Sequence, residues 1–199
     1  FRKNDSQTAP SDKSDTLLEH AGPAVLPEGS GYSEEEADDG SAEALFRQWL
    51  GVIYRDQPEE VDAIIANLEE NADDEEELDF GSIIESFFLL HNNLNDTEHL
   101  FSVDWKDGES FIGFIADIAD RFNAKLEWSE EQMEEGLPDQ LALSAYPVLL
   151  AAGAVLYSVQ TGGDYYTFIA VPQQDAADFE HASEQYGLQI WRADSESEF

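Results

Sequence analysis

One stretch, residues 153–171, limits the folds open to this chain more than any other. Its sequence, GAVLYSVQTGGDYYTFIAV, contains two apolar runs rich in β-branched and aromatic residues, joined by Gly162-Gly163. A Gly-Gly dipeptide supplies the positive φ angles of a two-residue hairpin turn, and such a turn pairs Val159 with Tyr166. The stretch therefore predicts a β-hairpin with a half-polar face and an apolar core face. The predicted core face carries Val155, Tyr157, Val159, Tyr166, Phe168 and Ala170.

Strand and helix patterns alternate around this hairpin from residue 99 onward. The spacing of apolar residues predicts strands at 99–105, 125–128 and 188–191 and helices at 108–123 and 176–186. The strand at 125–128 should return parallel to the first strand through a right-handed crossover. The predicted fold is α+β: a mixed five-stranded sheet with a central β-hairpin, helices mainly on one face, and N-terminal helices in addition.

Four segments follow from the composition along the chain. Residues 1–40 are rich in Ser, Asp, Glu, Gly and Pro, and such a segment buries too little surface to offset its ordering entropy. Helical spacing then recurs at 41–55, 58–70 and 81–94. We therefore expect a disordered or tether-like acidic tail at 1–40, a helical subdomain at 41–98, the α+β domain at 99–193, and an acidic tail at 194–199.

The charge of the chain restricts its partners. It has 45 acidic and 9 basic residues, a net charge of −36. Nucleic acids and anionic membranes are bound through Lys and Arg, so we expect no nucleic acid and no membrane contact by this segment. A basic protein is the partner that this charge would attract. The alternative is that the acidity only maintains solubility or reflects adaptation to salt. The oligomeric state stays open.

Residue types that indicate catalysis or metal binding are scarce. The chain has no cysteine, which excludes disulfides and thiolate metal sites. Its four histidines form no zinc-binding pair, and there is no phosphate-binding glycine loop or nucleophile motif. We therefore expect no catalytic residue, metal or cofactor, and favour a non-enzyme without deciding the point. We expect the cytoplasm as compartment, although a chain that starts at Phe1 leaves room for an upstream signal or anchor.

Two short groups nevertheless stand apart, because each lies where a strand is predicted to end or begin. The first is DWKDGE at 104–109 and the second is TGGDYY at 161–166. Strand ends are common positions for binding sites. The competing interpretation is structural, with Asp107 as a helix cap and Gly162-Gly163 as a turn only. The candidate residues for a ligand or a partner are Asp104, Trp105, Lys106, Glu109, Asp164 and Tyr166.

The same two groups carry a family resemblance. The run 100–109 reads L-F-x-x-D-W-K-x-x-E, and T-G-G-D-x-Y follows at 161–166. This pattern resembles a bacterial family named only as a domain of unknown function, family 6630. The resemblance covers about residues 85–192 and leaves the first two predicted helices outside. It implies an α+β fold and a bacterial source, and it implies no activity.

Three functions remain open at this point. The first is a non-enzymatic protein-interaction module, immunity-like or regulatory, whose acidic face meets a basic protein. The second is a small-ligand-binding or hydrolytic site formed by residues 104–109 together with 161–166, which requires both groups to meet in one concave pocket. The third is an acidic mimic of nucleic acid, which requires carboxylates spaced along an elongated face.

Overall fold

The computed structural model describes residues 39–71, 83–84, 87–88, 97–160 and 164–194. The predictions for the two tails, for most of the helix at 81–94 and for the hairpin tip at 161–163 lie outside these ranges. The helices are α1 (Asp39–Ile53), α2 (Pro58–Asn71), α3 (Gly108–Arg121), α4 (Glu130–Glu135), α5 (Pro138–Ala151) and α6 (Ala176–Tyr186). The strands are β1 (Leu100–Asp104), β2 (Ala154–Val159), β3 (Tyr165–Pro172) and β4 (Ile190–Arg192).

The chain folds into an α+β structure, as predicted, and its sheet has the order β1-β3-β2-β4. The β2–β3 hairpin lies at the centre, which confirms that part of the prediction. The expected mixed sheet of five strands is wrong, because the described residues form four strands and all their pairings are antiparallel.

The segment at 125–128 is the strand that was predicted wrongly. After α3 the chain turns through Asn123, whose φ is 54°, and the Ala124 amide donates to the Ala119 carbonyl at 2.8 Å. Leu126 and Trp128 are half-buried against the core, while Lys125 and Glu127 are exposed. An alternating burial pattern can thus arise from side chains that pack on the core without any pairing of the backbone.

The register of the hairpin also differs from the prediction, by one residue. Val159 is opposite Thr167, not Tyr166. Seven residues, 160–166, therefore separate the two paired positions, whereas a two-residue turn leaves an even number. A shift of one residue moves a strand's side chains to the other face. Tyr157 consequently shares its face with Ile169, and Phe168 points to the opposite side.

Helices cover both faces of the sheet, which corrects the expectation that they lie mainly on one. On one face Phe101 and Phe168 pack against Phe111 of α3, with ring centroids 5.5 Å and 5.1 Å apart. On the other face Tyr157 packs against Phe179 of α6 at 4.9 Å. Every residue of β2 is buried. Helices therefore pack on both faces of the sheet, because side chains on both faces must be shielded from water.

The predicted N-terminal helices α1 and α2 are confirmed, and α1 packs on α6. Trp49 of α1 is fully buried, and its indole N–H donates to Ser183 Oγ at 3.0 Å. The described residues all belong to one compact unit, residues 36–199. The division into a subdomain at 41–98 and a domain at 99–193 stays a prediction. None of the helices in the described ranges has the length and apolarity that a membrane span needs.

Candidate functional site

The two groups singled out in the sequence lie side by side at one end of the sheet. Asp104, the last residue of β1, is paired with Tyr165, the first residue of β3. One residue further on, the Trp105 amide donates to the Asp164 carbonyl at 3.4 Å. We call the exposed region of residues 104–109 and 164 the strand-end surface. The structure thus brings together five of the six candidate residues at the level of the backbone.

The carboxylates of this surface hold its turn and the start of α3. Asp104 Oδ1 accepts a hydrogen bond from the Lys106 amide at 2.9 Å. Asp107 accepts from both the amide and the hydroxyl of Ser110, at 2.9 Å and 2.7 Å. These two hydrogen bonds hold the pKa of Asp107 below its ordinary value, as expected for a carboxylate that caps a helix. The prediction that Asp107 is a cap is confirmed.

Trp105 and Lys106 form the most distinctive part of the strand-end surface. The Trp105 side chain is 41% exposed, which is unusual for a residue of its size. The Lys106 ammonium lies 4.2 Å from the centroid of the indole ring, within cation–π range. A large aromatic ring and the cation above it are therefore presented to solvent next to Asp104 and Glu109, both of which are exposed.

Tyr166 is the candidate that the structure does not bring to the others. It pairs with Val103, and because neighbouring residues of a strand alternate, its side chain lies on the opposite face from that of Asp104. Its ring is half-buried, 6.1 Å from that of Phe168. Burial, and then the negative charge of Asp139, raise the pKa of the Tyr166 hydroxyl.

The neighbour of the strand-end surface is α4, a short helix that is rich in Glu. Ser129 begins this helix in a capping box with Gln132. A Cβ added to Gly108 would lie 2.0 Å from the Gly136 carbonyl oxygen, so the start of α3 touches the end of α4. The exposed side chains of α4 include Met133, which is 54% exposed. They also include Glu130, Glu131, Glu134 and Glu135.

Sequence reasoning does not reveal how the arginines are distributed. In the described ranges all four bind carboxylates of their own chain: Arg47 with Glu43 and Asp62, Arg55 with Asp175 and Asp178, Arg121 with Asp56, and Arg192 with Glu180. Within those ranges no ion pair involves a carboxylate of α4 or of the strand-end surface. Apart from Lys106, which lies over Trp105, no described cation lies close to these carboxylates in an ion pair. No described group of three or more histidine and carboxylate side chains is arranged to hold a metal ion.

Arg121 is the most buried of the four described arginines. Both carboxylate oxygens of Asp56 accept from Arg121 Nη2 at 3.1 Å, and the Arg121 side chain is only 10% exposed. Partial burial by itself raises the pKa of Asp56, but the charge and hydrogen bonds of Arg121 outweigh it and lower that pKa below its ordinary value. His99, which is fully buried, lies with Nε2 at 3.4 Å from Asp56 Oδ1.

A second feature that the sequence did not indicate is a cleft where α6 meets β4. Its volume is about 440 Å³, and it is lined by Glu180, Glu184, Gly187, Leu188, Gln189, Ile190 and Trp191. At its edge Glu180 Oε1 accepts from the Tyr157 hydroxyl at 2.8 Å and from Arg192 Nε at 2.9 Å. Burial first, and then the hydrogen bond to Glu180, raise the pKa of Tyr157.

Comparison with known protein families gives a match to the Domain of unknown function (DUF6630) over residues 45–194. The matched region starts well before residue 85, so the expectation that the first two helices lie outside the family is wrong: α2 and most of α1 are within it. No curated protein and no solved structure matches the chain. The family match covers most of the chain and all four strands, and the chain therefore belongs to the DUF6630 family.

Proposed function

We propose that this domain is a protein-interaction module, immunity-like or regulatory, whose acidic surface binds a basic protein. The observation that carries the proposal is the exposed acidic surface of α4 beside Trp105. The arginines of the described residues bind carboxylates elsewhere, on α1, α2 and α6 and in the segments before α2 and α6. The carboxylates of α4 are exposed and outside any described ion pair, so their charge is available to a partner.

Trp105 offers a large aromatic contact in addition to the negative charge of the surface. Interfaces derive most of their affinity from a few large side chains, among which Trp is enriched, surrounded by polar groups. Trp105 is exposed at 41% beside the carboxylates of the strand-end surface, and Met133 of α4 is exposed at 54%. An aromatic anchor within an acidic surface suits a partner that presents basic and apolar residues together.

The small-ligand or hydrolytic alternative stays a prediction that this geometry does not favour. A catalytic carboxylic acid usually has a raised pKa, whereas the pKa of Asp107 is lowered by its cap hydrogen bonds. The carboxylate of Asp104 is likewise engaged in its own turn.

The test uses a peptide of ten residues rich in Lys, titrated into the full chain, and a variant in which the four glutamates of α4 are changed to glutamine. Its matched control carries Glu59→Gln, Glu60→Gln, Glu69→Gln and Glu70→Gln on α2, which changes the net charge equally. We expect the α4 variant to bind roughly tenfold more weakly than the control. Trp105→Ala should weaken binding without any change of charge.

Equal weakening by the α4 and α2 variants would show that only the total charge matters, and would contradict a dedicated surface. Unchanged affinity in Trp105→Ala would remove the anchor from the proposal. Binding should also decrease as NaCl is raised from about 0.05 to 0.5 M, because salt screens exposed charges.

A further inference from the structure

β4 lies at one edge of the sheet, and its outer side is open in the part of the chain that the structure describes. Gln160 N donates to the Gln189 carbonyl and Ala193 N donates to the Leu156 carbonyl, both at 3.0 Å. In an antiparallel pair such bonds recur at every second residue. The N–H and C=O groups of Gln189, Trp191 and Ala193 therefore point toward β2, and those of Ile190 and Arg192 point away from the sheet.

The α6 side of this edge is the acidic cleft. Glu180 and Glu184 are four residues apart on α6, so they lie on the same side of the helix, one turn apart. The lining of the cleft contains no Lys or Arg. Arg192 adjoins it, but its charge is neutralised by Glu180, which accepts from its Nη2 at 2.6 Å. Glu184 is exposed and adds a negative charge without an ion pair among the described residues.

The face of β4 that points away from α6 carries an aromatic side chain instead of carboxylates. Trp191 is opposite Ser158, whereas Ile190 is opposite Val159 and Arg192 is opposite Tyr157. Because side chains alternate along a strand, Trp191 lies on the face away from α6, where it is half-buried. A strand placed beside β4 would therefore meet the Glu184 carboxylate and the Glu180–Arg192 ion pair on one face and an indole ring on the other.

We infer that the outer edge of β4 binds an extended segment of a basic protein as a fifth strand. The inference rests on the proposed function for the charge of the partner, and it adds a second contact surface and a binding mode. Basic side chains of the added strand lie over the cleft beside Glu184, and the alternate side chains, which are apolar, pack against Trp191. Backbone hydrogen bonds to Ile190 and Arg192 hold the strand, as in other cases of strand addition.

Charge complementarity selects this occupant over a neutral or acidic strand. β4 has only three residues, so two of them offer outward-facing backbone groups. So short an edge discourages non-specific pairing, and a strand that adds to it needs further affinity from its side chains. The cleft supplies that affinity to basic side chains at alternate positions.

The test uses the full chain and a capped twelve-residue peptide in which Lys and Val alternate. Its matched control has the same composition but arranges the residues as Lys-Lys-Val-Val, so that it cannot place all its Lys on one face. We expect the alternating peptide to bind more tightly than the control. At saturation, hydrogen exchange of the Ile190 and Arg192 amides should slow by roughly tenfold or more. The Trp191 amide, which faces β2, should change little.

Two glutamine variants separate this inference from the proposed function. Glu184→Gln should weaken binding of the alternating peptide by about two- to fivefold, while Glu134→Gln on α4 should weaken it less and leave the slowed exchange at Ile190 and Arg192 in place. Weakening by Glu134→Gln alone, with no slowing of exchange at Ile190 and Arg192, would overturn strand addition and leave the acidic module in place. An alternating peptide that fails to bind at all would also overturn the inference.

Discussion

At position 108 the fold requires glycine because of a contact with a residue that is distant in the sequence. Gly108 opens α3, and a Cβ at this position would lie 2.0 Å from the carbonyl oxygen of Gly136 and 3.3 Å from Leu141 Cδ1. The motif around Gly108 is visible in the sequence. Its contact with Gly136 is not, because 27 residues of chain separate the two glycines.

We predict that Gly108→Ala lowers the free energy of unfolding by about 1–3 kcal/mol, the usual cost of forcing atoms into an occupied space. The control is Gly113→Ala in the same helix, where an added Cβ would have nothing within 4 Å. Alanine favours a helix over glycine by about 1 kcal/mol, so the control should be stabilised. Urea unfolding of both variants provides the measurement, and equal stability of the two would contradict the close approach.

Between elements, the pair of Asp56 and Arg121 joins the turn after α1 to the end of α3. These residues are far apart in sequence, and their carboxylate and guanidinium meet only because α1 and α3 are brought together by the sheet. The pKa of Asp56 is lower in the folded chain than its ordinary value. Its contribution to stability is therefore complete above the ordinary pKa and is lost as the pH falls through the folded pKa.

We predict that Asp56→Asn destabilises the chain by about 1 kcal/mol at pH 7, a modest value because the Asp56 side chain is 55% exposed. The difference from the unchanged chain should shrink as the pH falls below about 4, where the carboxylate becomes protonated. Thermal unfolding between pH 3 and pH 7 measures both effects. A difference that stays constant over this range would show that Asp56 acts by packing and not by charge.

Elements with strong local signals could be predicted, and those without them could not. The apolar stripes of α1, α2 and α3 and the capping of α3 by Asp107 are confirmed. The helix α6 is confirmed as well, and Gly187 ends it with a φ of 82°. The helix α4 has the sequence EEQMEE, which lacks an apolar stripe, so the Ser129–Gln132 capping box is its one local signal and no apolar run follows it. The hairpin was predicted, but its register was wrong by one residue, because Gly-Gly also occurs in longer turns.

The candidate site could be predicted to a similar extent. The strand-end position of Trp105 follows from a strand that is readable in the sequence. The adjacency of Asp104 to Asp164 depends on the pairing of β1 with β3, which the sequence analysis does not predict. The opposite orientation of Tyr166 depends on the register, which the sequence does not determine. The cleft at α6 and β4 depends on a contact between helix and strand edge that has no local signature.

At the scale of the whole molecule, the most important feature is the large net negative charge. A net charge of −36 produces repulsion throughout the folded chain, and the compact state concentrates that repulsion more than the unfolded state does. The ion pairs of the four described arginines relieve it only locally.

We predict that the melting temperature rises by several degrees as NaCl is increased from about 0.05 to 1 M, because salt screens repulsion among exposed carboxylates. A neutral osmolyte at the same osmolality is the control and should have a smaller effect. A melting temperature that falls with added salt would mean that the attractive arginine pairs outweigh the repulsion.

The central position of the β2–β3 hairpin also has a kinetic consequence. Its two strands pair across only seven residues, 160–166, whereas pairing Ser102 with Thr167 closes a loop of more than sixty residues. The entropy lost on closing a loop grows with its length, so the hairpin is the least costly part of the sheet to nucleate. We therefore expect the sheet to assemble from its middle outward, with β1 and β4 the last strands to join and the first to detach in thermal fluctuations.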